Sequence, residues 1–279
     1  MIKSIQTIIV AAVLSVLVGC QTNQISGRNQ FVLVSEKMAI NESRSAYSAM
    51  LQPLSQEGKV NNDPAMVRRV ETITSRLVAQ AIRYRPESKD WDWSIRVINE
   101  PDTVNAWCMA GGRMAIYTGL INKLDATDDE IAMVMGHEIS HALLSHTRER
   151  MSRAIAMNLG VQALAIAIDG DRYGGYIVQG TALAAIVALE LPNSRTAEAE
   201  SDRIGIEIAA KAGYDPRAAA SLWEKMAKQS GDKDSRFDFF STHPAPVKRM
   251  ETLRELAVPL MPFFEDKSPK PTHPINTGL

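Results

Sequence analysis

Apolar positions along the chain repeat with two different periods. Met66, Val67, Val70, Ile73, Leu77, Val78 and Ile82 keep the three-and-four spacing of one helix face. Asp63 is a cap before them, and Pro64 fits the first helical position. An earlier helix is predicted in SEKMAINESRSAYSAMLQ, with Ser35 as its N-cap. The stretch up to Trp91 reads as a loop. Then Trp93, Ile95 and Val97 alternate, which predicts a strand. NAWCM and MAIYTG flank Gly111-Gly112 and predict a hairpin. The helical period returns from Asp128 to about Arg150. It returns again in RTAEAESDRIGIEIAAKAG, which stops at Gly213, in DPRAAASLWEKMAKQ with Asp215 as cap, and in PAPVKRMETLREL. The expected fold class is α+β and mainly helical, with a small sheet just before a histidine-bearing helix.

Two other stretches are apolar without being simple. Between Ala154 and Leu191 the segment DGDRYGG splits two apolar runs. Neither reaches the ~20 uninterrupted apolar residues of a membrane span, because Asn158, Gln162, Gln179 and Glu190 intrude. A helical hairpin is expected here, and it can cover a cleft, touch a bilayer, mediate self-association or simply pack. The first residues, MIKSIQTIIVAAVLSVLVGC, carry one lysine, an apolar run and small residues before Cys20, the layout of a secretory signal peptide. The ending Leu17-Val18-Gly19-Cys20 resembles a bacterial lipobox. That resemblance implies lipidation of Cys20 and stable anchoring, and Gln21 after it implies the outer membrane.

The domain reading is therefore a signal peptide over 1–19, a lipidated tether over 20–30, one compact domain over 31–258 and a proline-rich tail over 259–279 without regular structure. Composition adds little. The 279 residues are 45% hydrophobic and 23% charged, which is ordinary for a globular chain. A formal net charge of −1 gives no electrostatic case for nucleic acid. Cys20 and Cys108 are the two cysteines, so a disulfide framework is not expected, and Cys108 reads as a small core residue.

The chemistry concentrates in MVMGHEISHALLSH, Met133 to His146, which holds three of the five histidines. On a helix, residues four apart share a face, so His137 and His141 can reach one ion. Zinc suits imidazole nitrogen. Glu138 lies about 100° round the helix from His137, where it can act as general base on water without binding the metal. The helix is apolar upstream, and a buried glutamate there is costly unless it has a role or a partner. Catalytic zinc commonly takes three protein ligands. His146 lies about 180° from His137 on a continuous helix, so it reads as a supporting or packing residue. In SRTAEAESD, Glu198 and Asp202 are one turn apart. Glu198 can ligate while Asp202 orients a histidine through its other ring nitrogen, and a solvated acidic face is the other reading of the same spacing.

HEISH followed by SR-x-x-E-x-x-x-D resembles the HExxH zinc metalloproteases of the HtpX and CaaX prenyl protease superfamily, and within it the periplasmic BepA/YcaL-like members. SGRNQFVLVSE (26–36), VNAWCMAGGRMAIYTGLI (104–121) and STHPAPVKR (241–249) resemble further segments of that family. Ala110, Trp107 and Ser201 stand where the family usually has Pro, Phe and often Ala. The resemblance implies a gluzincin-like fold with an edge strand beside the site. It implies one Zn²⁺ held by His137, His141 and Glu198, with Glu138 as the base. It also implies roles for Asn105 at the edge strand, for His243 and for Arg249. His243 can stabilise the tetrahedral intermediate, gate the zinc by filling its open position, or cap the following helix. Asn105 is equally readable as a turn residue. His273 has no assigned role. The expected function is a zinc endopeptidase acting on misfolded or extended envelope proteins in periplasmic quality control. The alternative is a periplasmic chaperone or assembly factor that binds client strands with little turnover.

Overall fold

The computed structural model of the chain describes residues 20–169, 194–229, 239, 243 and 248–278, the stretch 159–169 by its backbone. The expected signal peptide and most of the expected apolar hairpin lie outside those residues. Two short strands come first, β1 (Cys20–Thr22) and β2 (Asn29–Phe31), paired antiparallel. Helix α1 (Glu36–Gln56) follows, capped by Ser35, whose side chain accepts from the Met38 amide. Helix α2 (Pro64–Tyr84) is capped by Asp63, which accepts from the Ala65 and Met66 amides. Both starts match the cap signals in the sequence. A 3-10 turn over Pro86–Asp90 stands where a loop was expected.

The sheet has three strands in the order β3 (Ser94–Ile98), β5 (Arg113–Tyr117), β4 (Ala106–Met109). β3 and β5 run parallel, while β4 and β5 form the expected hairpin. Its turn carries Gly111 and Gly112 at φ +86° and +84°, a left-handed conformation that needs no Cβ there. The sheet order leaves β4 as one edge. The other edge, β3, is covered by the chain's end: Ile95 N donates to Asn276 O at 3.0 Å and Asn276 N to Trp93 O at 2.9 Å. The tail is thus tied to the fold, and short helices occupy Val258–Leu260 and Met261–Glu265 where none was expected. Backbone groups left open at a sheet edge explain the docking, since the pairing satisfies them.

After the short α3 (Thr118–Lys123) comes α4 (Asp128–Leu143), the histidine helix. Thr127 and Glu130 form a reciprocal capping box at its start. From Glu130 to Leu143 every residue of α4 is buried, because α2, α6, α7 and β4 pack round it. The helix does not run on to Arg150 as its period suggested. Ser145 takes φ +57°, and α5 (His146–Asp169) restarts in a new direction. Then α6 (Arg195–Lys211) is capped by Ser194, α7 spans Ala218–Gln229 and α8 spans Arg249–Ala257. No described helix is long and apolar enough to cross a membrane.

The expected tether also folds. Residues 20–31 form a docked hairpin, in which Asn23 Nδ2 and Gln30 Nε2 donate to Leu144 O at 2.9 and 2.8 Å. Polar composition suggested a free segment, but these amides satisfy a carbonyl left open at the break between α4 and α5.

Candidate active site

Two buried helices make the site, and glycine lets them touch. Gly205 on α6 faces α4 so closely that an added Cβ would stand 2.7 Å from His137 Cα. Gly136 has the reciprocal constraint, 2.7 Å from Gly205 O. Glu198, Asp202 and Gly205 fall at i, i+4 and i+7 and share one face of α6. The close approach therefore brings the Glu198 carboxylate over the His137–His141 face of α4.

Four ligand atoms converge there. His137 Nε2 and His141 Nε2 are 3.0 Å apart. Glu198 Oε2 lies 3.5 Å from His137 Nε2, and Oε1 lies 3.4 Å from His141 Nε2. His243 Nδ1 is 3.3 Å from His137 Nε2 and 3.0 Å from Glu198 Oε1. All four residues are buried, and one ligand atom from each lies within 4.8 Å of every other. Donors at zinc distance in a tetrahedron stand about 3.3 Å apart, so the spacings fit a zinc ion and the nitrogen–oxygen donor set suits it. Electrostatics agree. Burial disfavours a charged His137, but Asp202 and Glu198 outweigh it and raise its pKa to about 9. The pocket is one that favours positive charge. Burial pushes His141 well below the ordinary histidine range, towards the neutral form a metal requires. Glu198 is pushed up by burial, yet His137, His141 and His243 together hold its carboxyl far below the usual range.

Glu138 is buried beside this cluster without joining it. Its Oε1 lies 3.3 Å from His243 Nε2. Burial raises its pKa above the ordinary carboxyl value, which suits a group that must take a proton and return it. Cys108 on β4 is buried near Glu138, so the edge strand borders the acid. Asp202 stands behind His137, with Oδ1 3.0 Å from His137 Nδ1. Arg249 spans both carboxylates: Nη1 donates to Glu198 at 3.0 Å and Nη2 to Asp202 at 2.6 Å. The Trp223 ring covers the guanidinium at 3.9 Å. Phe239 stacks on His243 with ring centroids 4.4 Å apart.

The structure thus brings His137, Glu138, His141, Glu198, Asp202, His243 and Arg249 together. Asn105 is placed differently. It precedes β4, its side chain accepts from the Ala106 amide at 2.8 Å and its carbonyl from Tyr117 N, outside the ligand cluster. The sequence gives His146 a supporting or packing role, though on a different geometry, and it does not single out the glycine pair or Glu200. Gly136 and Gly205 were legible only as small residues on the ligand face. His146 is not on the far side of a helix, because the break at Ser145 swings it to 2.8 Å from His141, Nδ1 to Nδ1. Glu200 backs His146, with Oε2 2.9 Å from Nε2, and Arg28 backs Glu200. Burial pushes Glu200 up, but hydrogen bonds with His146 and Arg28 outweigh it and bring its pKa to about 2.

Known proteins resemble the chain in sequence. The mitochondrial metalloendopeptidase OMA1 of Arabidopsis thaliana is 38% identical over 166 residues, which is 60% of this chain and 32% of that protein. OMA1 of Saccharomyces cerevisiae is 29% identical over 240 residues, 82% of this chain and 66% of that protein. The β-barrel assembly-enhancing protease of Escherichia coli is 27% identical over 212 residues, 74% of this chain and 42% of that protein. The likeness to these two OMA1 proteins is stronger than the likeness to the β-barrel assembly-enhancing protease, which corrects the subgroup expected from the motifs. The chain spans about one third to two thirds of the length of these relatives. The model of Peptidase family M48 matches residues 64–257, which include every cluster residue, and the chain belongs to that family.

Proposed function

We propose that this protein is a zinc-dependent endopeptidase whose metal is held by His137, His141 and Glu198. The observation that carries the reading is the convergence of two Nε2 atoms and one carboxylate, with Glu138 buried beside them but outside the set. When bound, zinc supplies a Lewis acid that acidifies water and polarises the scissile carbonyl. Glu138 takes the proton of the attacking water and passes it to the leaving amine. Arg249 and Asp202 hold Glu198 and His137 in place. An extended peptide pairs with the outer side of β4, which no described strand occupies, by strand addition. Asn105, at the head of that strand, is a docking residue for substrate backbone. The test is casein cleavage by wild type and Glu138→Gln at equal zinc content. A loss of about 10²–10⁴-fold is expected; equal cleavage refutes the mechanism, and undiminished client rescue by an inactive variant would move the reading to a chaperone.

His243 is a gate in this proposal. It stands at the fourth corner of the cluster and also faces Glu138, so it closes both the metal and the base. Its removal in His243→Ala should raise cleavage of unfolded substrate and weaken zinc binding. If neither changes, the gate is wrong.

The substrates we propose are misfolded or extended envelope proteins, and the site of action is the periplasm, with Cys20 acylated at the outer membrane. Support comes from the lipobox-like LVGC, from the exposure of Cys20 at the head of β1, and from the relative named for β-barrel assembly. Cys20→Ser should abolish palmitate labelling and release the protein from membranes; unchanged labelling and fractionation would refute it.

A further inference from the structure

His141 is backed by a line of side chains that runs out to the N-terminal hairpin. His141 Nδ1 meets His146 Nδ1 at 2.8 Å, and His146 Nε2 meets Glu200 Oε2 at 2.9 Å. Arg28, in the loop between β1 and β2, donates from Nε and Nη2 to the two oxygens of Glu200 at 2.9 and 3.2 Å. It also donates from Nη1 and Nη2 to the two oxygens of Glu149 on α5 at 3.0 and 2.8 Å. His146 and Glu149 are both buried. Arg28 therefore ties α5 to α6 beside His146, which meets His141 Nδ1.

One arrangement of protons satisfies this line. A carboxylate only accepts, so His146 Nε2 carries the hydrogen that faces Glu200. His146 Nδ1 is then a lone pair. The atom facing it, His141 Nδ1, carries a hydrogen and donates it. His141 Nε2 keeps its lone pair, aimed at the ligand cluster. A histidine ligand whose distal nitrogen donates to a fixed acceptor is held in both tautomer and ring orientation, and its basicity rises. Here the fixed acceptor is itself an imidazole, oriented by a carboxylate that is oriented by an arginine.

We propose that Arg28 and Glu200 are positioning residues for the metal ligand His141, acting through His146, so that the N-terminal hairpin is a working part of the metal centre. This rests on the reading of the cluster as a metal site. It gives residues 20–31 a role at the site: loosening the hairpin loosens His141.

The test uses the intact protein with zinc and with cobalt. Zinc affinity is read by competition with a chromophoric chelator, and ligand geometry by the visible absorption of the cobalt form. Thermal unfolding of the metal-free protein reports folding separately. Glu200→Gln and Arg28→Ala should each weaken zinc tenfold to a hundredfold and shift the cobalt bands, at temperatures where both variants remain folded. Arg28→Lys, which keeps the charge without the fork, should recover part of the loss. Variants that melt earlier but hold zinc as wild type does, with unchanged cobalt bands, would overturn the proposal and leave a packing role. A wild type that takes up no divalent ion would overturn this proposal and the metallopeptidase reading together, whereas wild-type binding with indifferent variants sinks only the relay.

Discussion

His137 and His141 lie one turn apart on the same helix, yet their outer nitrogens are supported in unlike ways. Behind His137 stands one carboxylate, Asp202, held by Arg249 from α8 with Trp223 over the guanidinium. Behind His141 stands a second imidazole, then Glu200, then Arg28 from the first hairpin. The first support is short and wholly buried. The second is long, and its last member is partly exposed. The difference teaches where rigidity comes from. Arg249 belongs to α8 and Arg28 to the first hairpin, so segments far apart in sequence support one site. Each arm has an arginine bridging two carboxylates, which suits a planar fork better than a point charge.

The largest effect should come from breaking the buried arm. Arg249→Met strips the partner from Glu198 and Asp202 at once. Breaking a buried pair by removing one member typically costs about 3–5 kcal/mol, because the other charge stays buried. Urea unfolding of the metal-free protein should show a loss of that order. Arg249→Lys should fall between the two, since an ammonium cannot reach both carboxylates with two parallel bonds. If Arg249→Met unfolds as wild type does, the C-terminal arm contributes nothing and the comparison fails on that side.

The next test asks whether the arms are separate. Asp202→Asn should weaken zinc tenfold to a hundredfold. Asp202 and Glu200 share no partner among the described contacts, so their effects should multiply when Asp202→Asn is combined with Glu200→Gln. A double variant no worse than the weaker single one would show a single coupled network rather than two arms. Zinc competition on the four proteins decides it.

How far the sequence alone reaches also divides along these arms. The caps at Ser35 and Asp63, the glycine hairpin, and the face shared by His137 and His141 are local features, and each is legible from a few adjacent residues. Glu198 and Asp202 are legible because one helical turn relates them. Arg249 entered through the likeness of STHPAPVKR to a family segment, and the structure explains it by two carboxylates that spacing had already singled out. The His141 arm was not legible, because its logic passes through a helix break. A continuous helical period from Asp128 to Arg150 puts His146 on the far side, and the positive φ of Ser145 has no strong signature in a residue other than glycine. The first hairpin, residues 20–31, is hidden for a related reason. Asn23, Arg28 and Gln30 look like solvated residues until the open carbonyl of Leu144 and the carboxylates of Glu149 and Glu200 are seen. The docking of Asn276 on β3 is hidden likewise, since its backbone pairing and its contacts with Arg96 join residues at least 180 positions apart.

The smallest effect should sharpen the proton assignment. Ser201 Oγ lies 3.4 Å from His146 Nδ1, on the flank of the same nitrogen that His141 approaches at 2.8 Å. If His141 donates to that nitrogen, the serine hydroxyl is a bystander at the long edge of hydrogen-bond distance, and Ser201→Ala should leave zinc affinity within about twofold of wild type. If instead His146 Nδ1 carried the hydrogen, it would donate to His141 Nδ1 at 2.8 Å, His141 Nε2 would carry a hydrogen towards the ligand cluster, and His146 Nε2 would present a lone pair to the Glu200 carboxylate. Chelator competition on Ser201→Ala and Glu200→Gln side by side shows whether the serine bears on the metal at all. The nitrogen-15 shifts of His146 separate the two proton arrangements, because a protonated and an unprotonated ring nitrogen resonate far apart. The alanine variant is thus expected to be the silent member of the set, while the ring-nitrogen shifts fix the direction in which the line of hydrogen bonds runs, from His141 outward to Glu200.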